Sequence, residues 1–301
     1  MVGITELGYI GIGISNEAAW KEYAAAVIGM EVWDGERDDR FYLRLDNWHH
    51  RIVAHKDGSD DLLYLGWRVA GRKQFEEMQD QLAAAGLEFR QGTREEAEER
   101  HVLELLKLTD PAGIQTEIFY GPEVCMNRPF HPGRPLHGRF LTGNAGLGHC
   151  IVAQPDHEAA YRFYSALGFE GGVEVKIGPP EVPVYAELTF MHCNERQHSI
   201  AWGAPGAANK MMNHLMIEYD DVKDLGAAHD RVRERQIAVA MNLGIHANDR
   251  VLSFYAANPS GWLIELGASV GQPFPSQSEY YRADIFGHKV EKAGFIFAER
   301  E

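Results

Sequence analysis

The chain repeats itself, so whatever fold its first half adopts its second half must adopt as well. Leu7-Gly8-Tyr9-Ile10-Gly11-Ile12 precedes an Ala-rich helical pattern over residues 17–28. Leu147-Gly148-His149-Cys150-Ile151-Val152 precedes another over 156–167, which Gly168-Phe169 ends. Leu65-Gly66-Trp67-Arg68-Val69 leads into a helical pattern over 72–85, and its counterpart, residues 214–219, leads into one over 221–235. Asp110-Pro111-Ala112-Gly113-Ile114-Gln115-Thr116-Glu117 mirrors Asn258-Pro259-Ser260-Gly261-Trp262-Leu263-Ile264-Glu265. Counterparts lie 140 to 150 residues apart (149 against 9, 214 against 64, 265 against 117). This is the duplication of a whole domain of roughly 130 residues, each half holding two units of strand, helix and several strands. A chain of 301 residues accommodates two such cores. The Pro/Gly-rich, helix-poor residues 121–138 form the expected linker, dividing the chain into 1–135 and 136–301.

The chemistry concentrates in residues 246–265, His-Ala-Asn-Asp-Arg-Val-Leu-Ser-Phe-Tyr-Ala-Ala-Asn-Pro-Ser-Gly-Trp-Leu-Ile-Glu. Alternation after the turn (Trp262 and Ile264 against Leu263 and Glu265) reads as a strand. A carboxylate on so apolar a strand must be paired, protonated or bound to a metal. Two other strand-like stretches carry a lone histidine, His149 and His214. Two neutral imidazoles and one carboxylate make the facial triad of a non-haem Fe(II) oxygenase, which leaves coordination positions open. Aligning the halves tests this: His149 falls opposite Tyr9, His214 opposite Tyr64, and only Glu265 keeps its type, as Glu117. Two tyrosines and a glutamate suit Fe(II) poorly, so the front half is expected to be metal-free and non-catalytic.

Composition narrows the partners. A net charge of −15 and a pI near 5.4 disfavour nucleic acid and anionic membranes. No apolar run is long enough to span a bilayer, and no secretory leader is visible. Three cysteines, Cys125, Cys150 and Cys193, are odd in number and not spaced as zinc pairs, which fits a reduced, cytoplasmic protein.

From His246 through Phe254-Tyr255, Asn258-Pro259 and Gly261 to Glu265, the chain resembles the signature of the type I extradiol ring-cleavage dioxygenases of the vicinal oxygen chelate superfamily. The likeness extends over the duplication and over the tail Tyr280-Tyr281-Arg282-Ala283-Asp284-Ile285-Phe286-Gly287-His288. It implies an α+β fold of two duplicated domains, each of two βαβββ modules, and Fe(II) ligands His149, His214 and Glu265. It also implies that His198 is the acid–base group and that His246, Asn248 and Tyr255 line the site around the catechol oxygens. In many relatives a histidine precedes the residue equivalent to His198; here it is Gln197, which removes a possible neighbouring base. The implied reaction is extradiol cleavage by O2 of a bicyclic or 3-substituted catechol such as 2,3-dihydroxybiphenyl, with 1,2-dihydroxynaphthalene, a trihydroxybiphenyl or a steroid-derived catechol as alternatives. The resemblance also implies a homo-oligomer.

Other residues receive plainer readings. Ile151, Phe190 and the loops around 173–184 are expected as pocket walls, with Gly171-Gly172 and Gly178-Pro179-Pro180 breaking regular structure. Asp249 is expected to pair with an arginine or to orient His246. His49, His50, His131 and His137 lack carboxylates at suitable spacing, and His157 and His229 read as solvated helix positions. Glu95-Glu96-Ala97-Glu98-Glu99-Arg100 reads as a solvated helical face, and Cys150 as a core residue facing away from His149. Two competitors share the fold: a glyoxalase-like metalloenzyme, and a metal-free binding protein of bleomycin-resistance type.

Overall fold

The computed structural model describes residues 2–177, 185–203, 210–268, 279, 281 and 283–291. The front half runs β1 (Glu6–Gly13), α1 (Glu17–Glu22), β2 (Glu31–Trp33), β3 (Arg40–Arg44), β4 (Ile52–His55), β5 (Leu62–Arg68), α2 (Arg72–Ala84), β6 (Phe89–Gln91), α3 (Arg94–Glu99), β7 (Val102–Thr109) and β8 (Gln115–Pro122). The back half repeats the plan: β9 (His149–Val152), α4 (His157–Ala166), β10 (Glu170–Ile177), β11 (Tyr185–His192), β12 (Ile200–Trp202), β13 (Met212–Tyr219), α5 (Val222–Glu234), β14 (Val239–Ile245), β15 (Leu252–Ala257) and β16 (Leu263–Ala268). Each half is one eight-stranded sheet, ordered β2-β3-β4-β1-β5-β8-β7-β6 in front and β10-β11-β12-β9-β13-β16-β15-β14 behind. The two orders are the same pattern of paired βαβββ modules, as the repeat requires.

Local chemistry sets the element ends. Asn16 and Asp156 cap α1 and α4, accepting from the backbone N–H three residues on at 3.0 and 2.9 Å. The two copied turns close alike: Gly113 and Gly261 take positive φ (90° and 85°) and donate to the carbonyls of Asp110 and Asn258 at 3.0 Å. One helix departs from expectation. After Glu22 the Ala-rich stretch widens to a π-helix over Tyr23–Ile28, closed by left-handed Gly29. Its last carbonyls are met by the other half and the connecting segment, Tyr219 Oη donating to Ile28 O (2.7 Å) and Arg134 Nε to Val27 O (3.1 Å).

The halves share one apolar core lying between helices and sheets. Trp20 packs on Trp262 at 5.7 Å and donates Nε1–H to Ser260 Oγ (2.8 Å), while Tyr164 donates to Asp110 (2.9 Å). The expected linker is itself docked: His137 and Gly138 donate backbone N–H groups to Asp224, and Arg134 is buried beside it. Cys150 belongs to this core, facing away from the site as read from the sequence. Gly171 and Gly172, expected to be irregular, instead pair regularly with Met191 and Phe190; an added Cβ at Gly171 would meet the Phe190 carbonyl at 2.1 Å, so a close strand approach accounts for that glycine. Gly178-Pro179-Pro180 lies outside the described residues, as do Tyr280 and Arg282.

Candidate active site

The three central strands β9, β13 and β16 place the histidines and the glutamate together. Met216 pairs with His149 on one side and with Glu265 on the other, and His214, two residues earlier, shares its face. His149 Nε2 lies 3.0 Å and His214 Nε2 3.3 Å from Glu265 Oε2. All three side chains are buried. Asn213 Oδ1 faces His214 Nδ1 at 2.8 Å, so Nδ1 carries the proton and Nε2 presents a lone pair to the glutamate. Burial lowers the basicity of His149 against the pull of Glu265. Burial also opposes ionisation of Glu265, but the adjacent imidazoles of His149 and His214 hold its carboxyl well below the usual range.

Two buried atoms in this group, His214 Nε2 and Glu265 Oε1, have no hydrogen-bond partner. Orphaned acceptors converging in a buried place are costly unless something binds them. Two imidazole nitrogens and a carboxylate are the donor set that suits a divalent transition metal. The residues fit such an ion.

The surroundings form a polar centre with apolar flanks. Ile151, Phe190, Ala201 and Leu188 pack on one side, and Ala240, Tyr255, Leu263, Met241 and Ala257 on the other. The sequence expectation for Ile151 and Phe190 as neighbours of the site therefore agrees with their positions; the loop over 178–184 lies outside the described residues. His198 stands not on a strand but in the turn before β12, buried, its ring 3.8 Å from that of His149 and 4.7 Å from that of Phe190. Gln197 Oε1 faces His198 Nδ1 at 2.5 Å, so the residue read as a missing base instead orients the imidazole. Tyr255 pairs across strands with Glu265, and its ring lies edge-on to His214 at 5.0 Å. Burial, then the charges of Glu265 and Asp249, push its phenol well above the usual value, so it is a neutral O–H. His246 Nε2 is 2.9 Å from that hydroxyl.

Some expectations need correction. Asp249 is buried with Asn248 in the turn after β14, but its carboxylate accepts from Val251 N–H (3.1 Å). The carboxylate on His246 is Asp284, 2.8 Å from Nδ1, supplied by the tail and too remote in sequence for spacing to reveal. His229 is half-buried, bonded to Asn242 (3.1 Å) and edge-on to Phe254, because its helix face packs on β15; His157 is likewise only partly exposed. His49 does have a carboxylate, Glu36 at 3.2 Å, brought by a loop. Arg100, read as part of a solvated face, is buried on Glu117.

Comparison with known proteins places this geometry. Residues 146–266 match the Glyoxalase/Bleomycin resistance protein/Dioxygenase superfamily, and residues 7–56 match Dihydroxybiphenyl dioxygenase BphC D1. A biphenyl-2,3-diol 1,2-dioxygenase of Sphingomonas paucimobilis is 56% identical over 98% of both chains. The chain belongs to the extradiol ring-cleavage dioxygenases. A 1,2-dihydroxynaphthalene dioxygenase of Pseudomonas putida is 54% identical, covering 97% of this chain and 96% of its own. An iron-dependent extradiol dioxygenase of Rhodococcus jostii is 36% identical over 95% and 97%. A crystal structure of a catechol 2,3-dioxygenase superposes with a TM-score of 0.93 at 52% identity, covering 98% and 97%.

Proposed function

We propose that this dioxygenase uses Fe(II), held by His149, His214 and Glu265, to cleave the ring of a catechol bearing a second ring beside the diol, 2,3-dihydroxybiphenyl or 1,2-dihydroxynaphthalene. The single observation that carries the reading is the convergence of two imidazole nitrogens and one carboxylate, with two orphaned buried acceptors, on one sheet face. Iron(II) held there would supply a binding centre for a chelating diol and the electrons that join it to dioxygen. Asn213 holds the His214 tautomer, and Gln197 holds a proton on His198 Nδ1, leaving Nε2 as the nitrogen that takes and returns a substrate proton. Tyr255 borders the diol oxygens, backed by the hydrogen bond it shares with His246. Asn248 and Asp249 border the substrate from the turn after β14, while Ile151 and Phe190 wall the ring and exclude water. The sizes and names of the relatives' substrates support a second ring; the 56% and 54% relatives carry biphenyl and naphthalene diols in their names.

On this reading residues 136–301 are the catalytic domain and residues 1–135 a non-catalytic copy. Support comes from the front face, where Arg100 bonds Glu117 and its guanidinium lies 3.9 Å from the Tyr64 ring centre, filling the equivalent space. Three free cysteines support a reducing, cytoplasmic setting. Exposed Leu103, Val124 and Met126 are apolar side chains that an interface between copies would cover, in line with a homo-oligomer. No helix among the described residues is long and apolar enough to cross a membrane. The test is anaerobic iron reconstitution followed by oxygen uptake with a panel of catechols. Cleavage of the two bicyclic diols in preference to catechol itself is expected; binding without oxygen uptake would favour the metal-free binding protein.

A further inference from the structure

The tail of the chain returns to the sheet after the second repeat has ended. It runs antiparallel beside β14, with bridges Ile245 to Phe286 and Met241 to Val290, and with Ile285 N–H donating to Ile245 O at 2.8 Å. This backbone pairing brings Asp284 against His246, Oδ1 lying 2.8 Å from Nδ1. The other carboxylate oxygen lies 3.2 Å from His288 Nδ1. His288 is itself fixed, its Nε2 lying 3.2 Å from the Ser253 carbonyl, and its ring centre lies 4.0 Å from that of His246 with the planes tilted by 39°.

We propose that Asp284 is a positioning residue of the ring-cleaving site: it fixes the tautomer of His246 and, through it, the direction of the Tyr255 hydroxyl hydrogen. The proposal rests on reading the face of His149, His214 and Glu265 as the diol site. A carboxylate only accepts, so His246 Nδ1 must carry hydrogen. In the neutral ring Nε2 is then a lone pair, and the one partner at 2.9 Å able to supply hydrogen is Tyr255 Oη. A phenol has a single hydrogen. Two acceptors lie within its reach, His246 Nε2 and the Glu265 carboxylate, and the lone pair that Asp284 secures on Nε2 turns the hydrogen toward His246. Asp284 thereby sets how the Tyr255 hydroxyl is oriented when the diol arrives.

His246, Asp284 and His288 also lie close enough together to share a cation. Their nitrogens and oxygens, however, are engaged with one another, with Tyr255 and with Ser253. None of them is among the orphaned buried atoms, in contrast to His214 and Glu265. That is the pattern of a hydrogen-bond chain rather than of an open cation site.

The experiment compares wild type, Asp284→Asn, Asp284→Glu, His246→Gln and the double variant His246→Gln/Asp284→Asn, all iron-loaded. Melting temperature and iron content are measured first. Anaerobic titration with 2,3-dihydroxybiphenyl then gives Kd, and oxygen uptake gives kcat and KM. Asparagine can offer N–H to Nδ1 and release the tautomer, so Asp284→Asn should keep iron and fold while weakening diol binding about tenfold. Asp284→Glu, still an obligatory acceptor, should retain most of the affinity. In the His246→Gln background the Asp284→Asn change should cost less than about twofold, because the two act as one unit. An equal penalty in both backgrounds, a Glu variant as weak as the Asn variant, or an Asn variant identical to wild type would overturn the proposal. A wild type that takes up no oxygen with any diol would instead overturn the underlying reading, and this inference with it.

Discussion

Arg100 grips Glu117 with two hydrogen bonds of 2.9 and 3.0 Å, at the register position that Glu265 holds in the other half. The equivalence is strict in the strand pairing: Tyr9 pairs with Gly66 and Gly66 with Glu117, as His149 pairs with Met216 and Met216 with Glu265. Tyr9 completes the front group by donating to Glu117 at 2.8 Å. One copy thus satisfies its buried carboxylate with protein donors, while the other leaves acceptors unmet. That difference separates the packing half from the chemical half.

Glu117→Gln should therefore leave iron at one per chain and ring cleavage nearly unchanged. It should cost stability, because Arg100 would lose its buried ionised partner and keep only Glu99, a loss of up to about 3 kcal/mol. Urea unfolding together with iron analysis checks both halves of the expectation. A large fall in turnover in a stable, iron-loaded variant would contradict the assignment.

His149→Ala, His214→Ala and Glu265→Ala should each lose iron while keeping a cooperative melt. Each substitution opens a polar, buried site without removing any of the main core, which lies on the opposite face. Metal content and melting temperature, measured on the same preparation, decide it. A variant that retains stoichiometric iron and near-normal turnover removes its residue from the triad.

His198→Gln should keep iron and still bind catechol, since its ring lies beside His149 rather than on Glu265. Turnover should fall by about 100-fold or more, the usual scale for a lost acid–base group. Normal turnover per iron would refute the role.

Acid should destabilise the front half through His49. Its pKa is pushed down to about 3, first by burial and then by the charge of neighbouring His101, from an ordinary value of 6.5. The unfolded chain then takes up the proton before the folded one. Stability is present above pH 6.5 and is lost as pH falls from there toward 3, by up to about 1.4 kcal/mol per pH unit. Unfolding midpoints of wild type and His49→Gln at pH 7, 6 and 5 test this: wild type should lose stability more steeply. Parallel pH dependences would refute it.

How far the sequence reaches can be seen residue by residue. The duplication, both Asx-Pro-x-Gly turns and the facing of Cys150 and His149 were legible because period and alternation are local. His149, His214 and Glu265 were legible because polar groups stand out on apolar strands and the repeat aligned them with Tyr9, Tyr64 and Glu117. Arg100 was not, because a helical charge run does not disclose which member turns inward at the helix end. Asp284 was hidden by its separation from His246, and Asp249, nearer in sequence, was the wrong candidate. The π-helix over Tyr23–Ile28 was invisible because its unusual carbonyls are met by Tyr219 and Arg134, far along the chain.

The most direct measurement of the central claim is iron and oxygen stoichiometry on one preparation. The purified protein is reconstituted anaerobically with Fe(II), freed of excess metal, and given 2,3-dihydroxybiphenyl and a known amount of O2, with the product weighed by mass spectrometry. The account predicts one iron per chain, one O2 consumed per diol, and a ring-opened product heavier than the diol by both oxygen atoms. Two irons per chain, or diol bound without oxygen consumption at full iron loading, would contradict it.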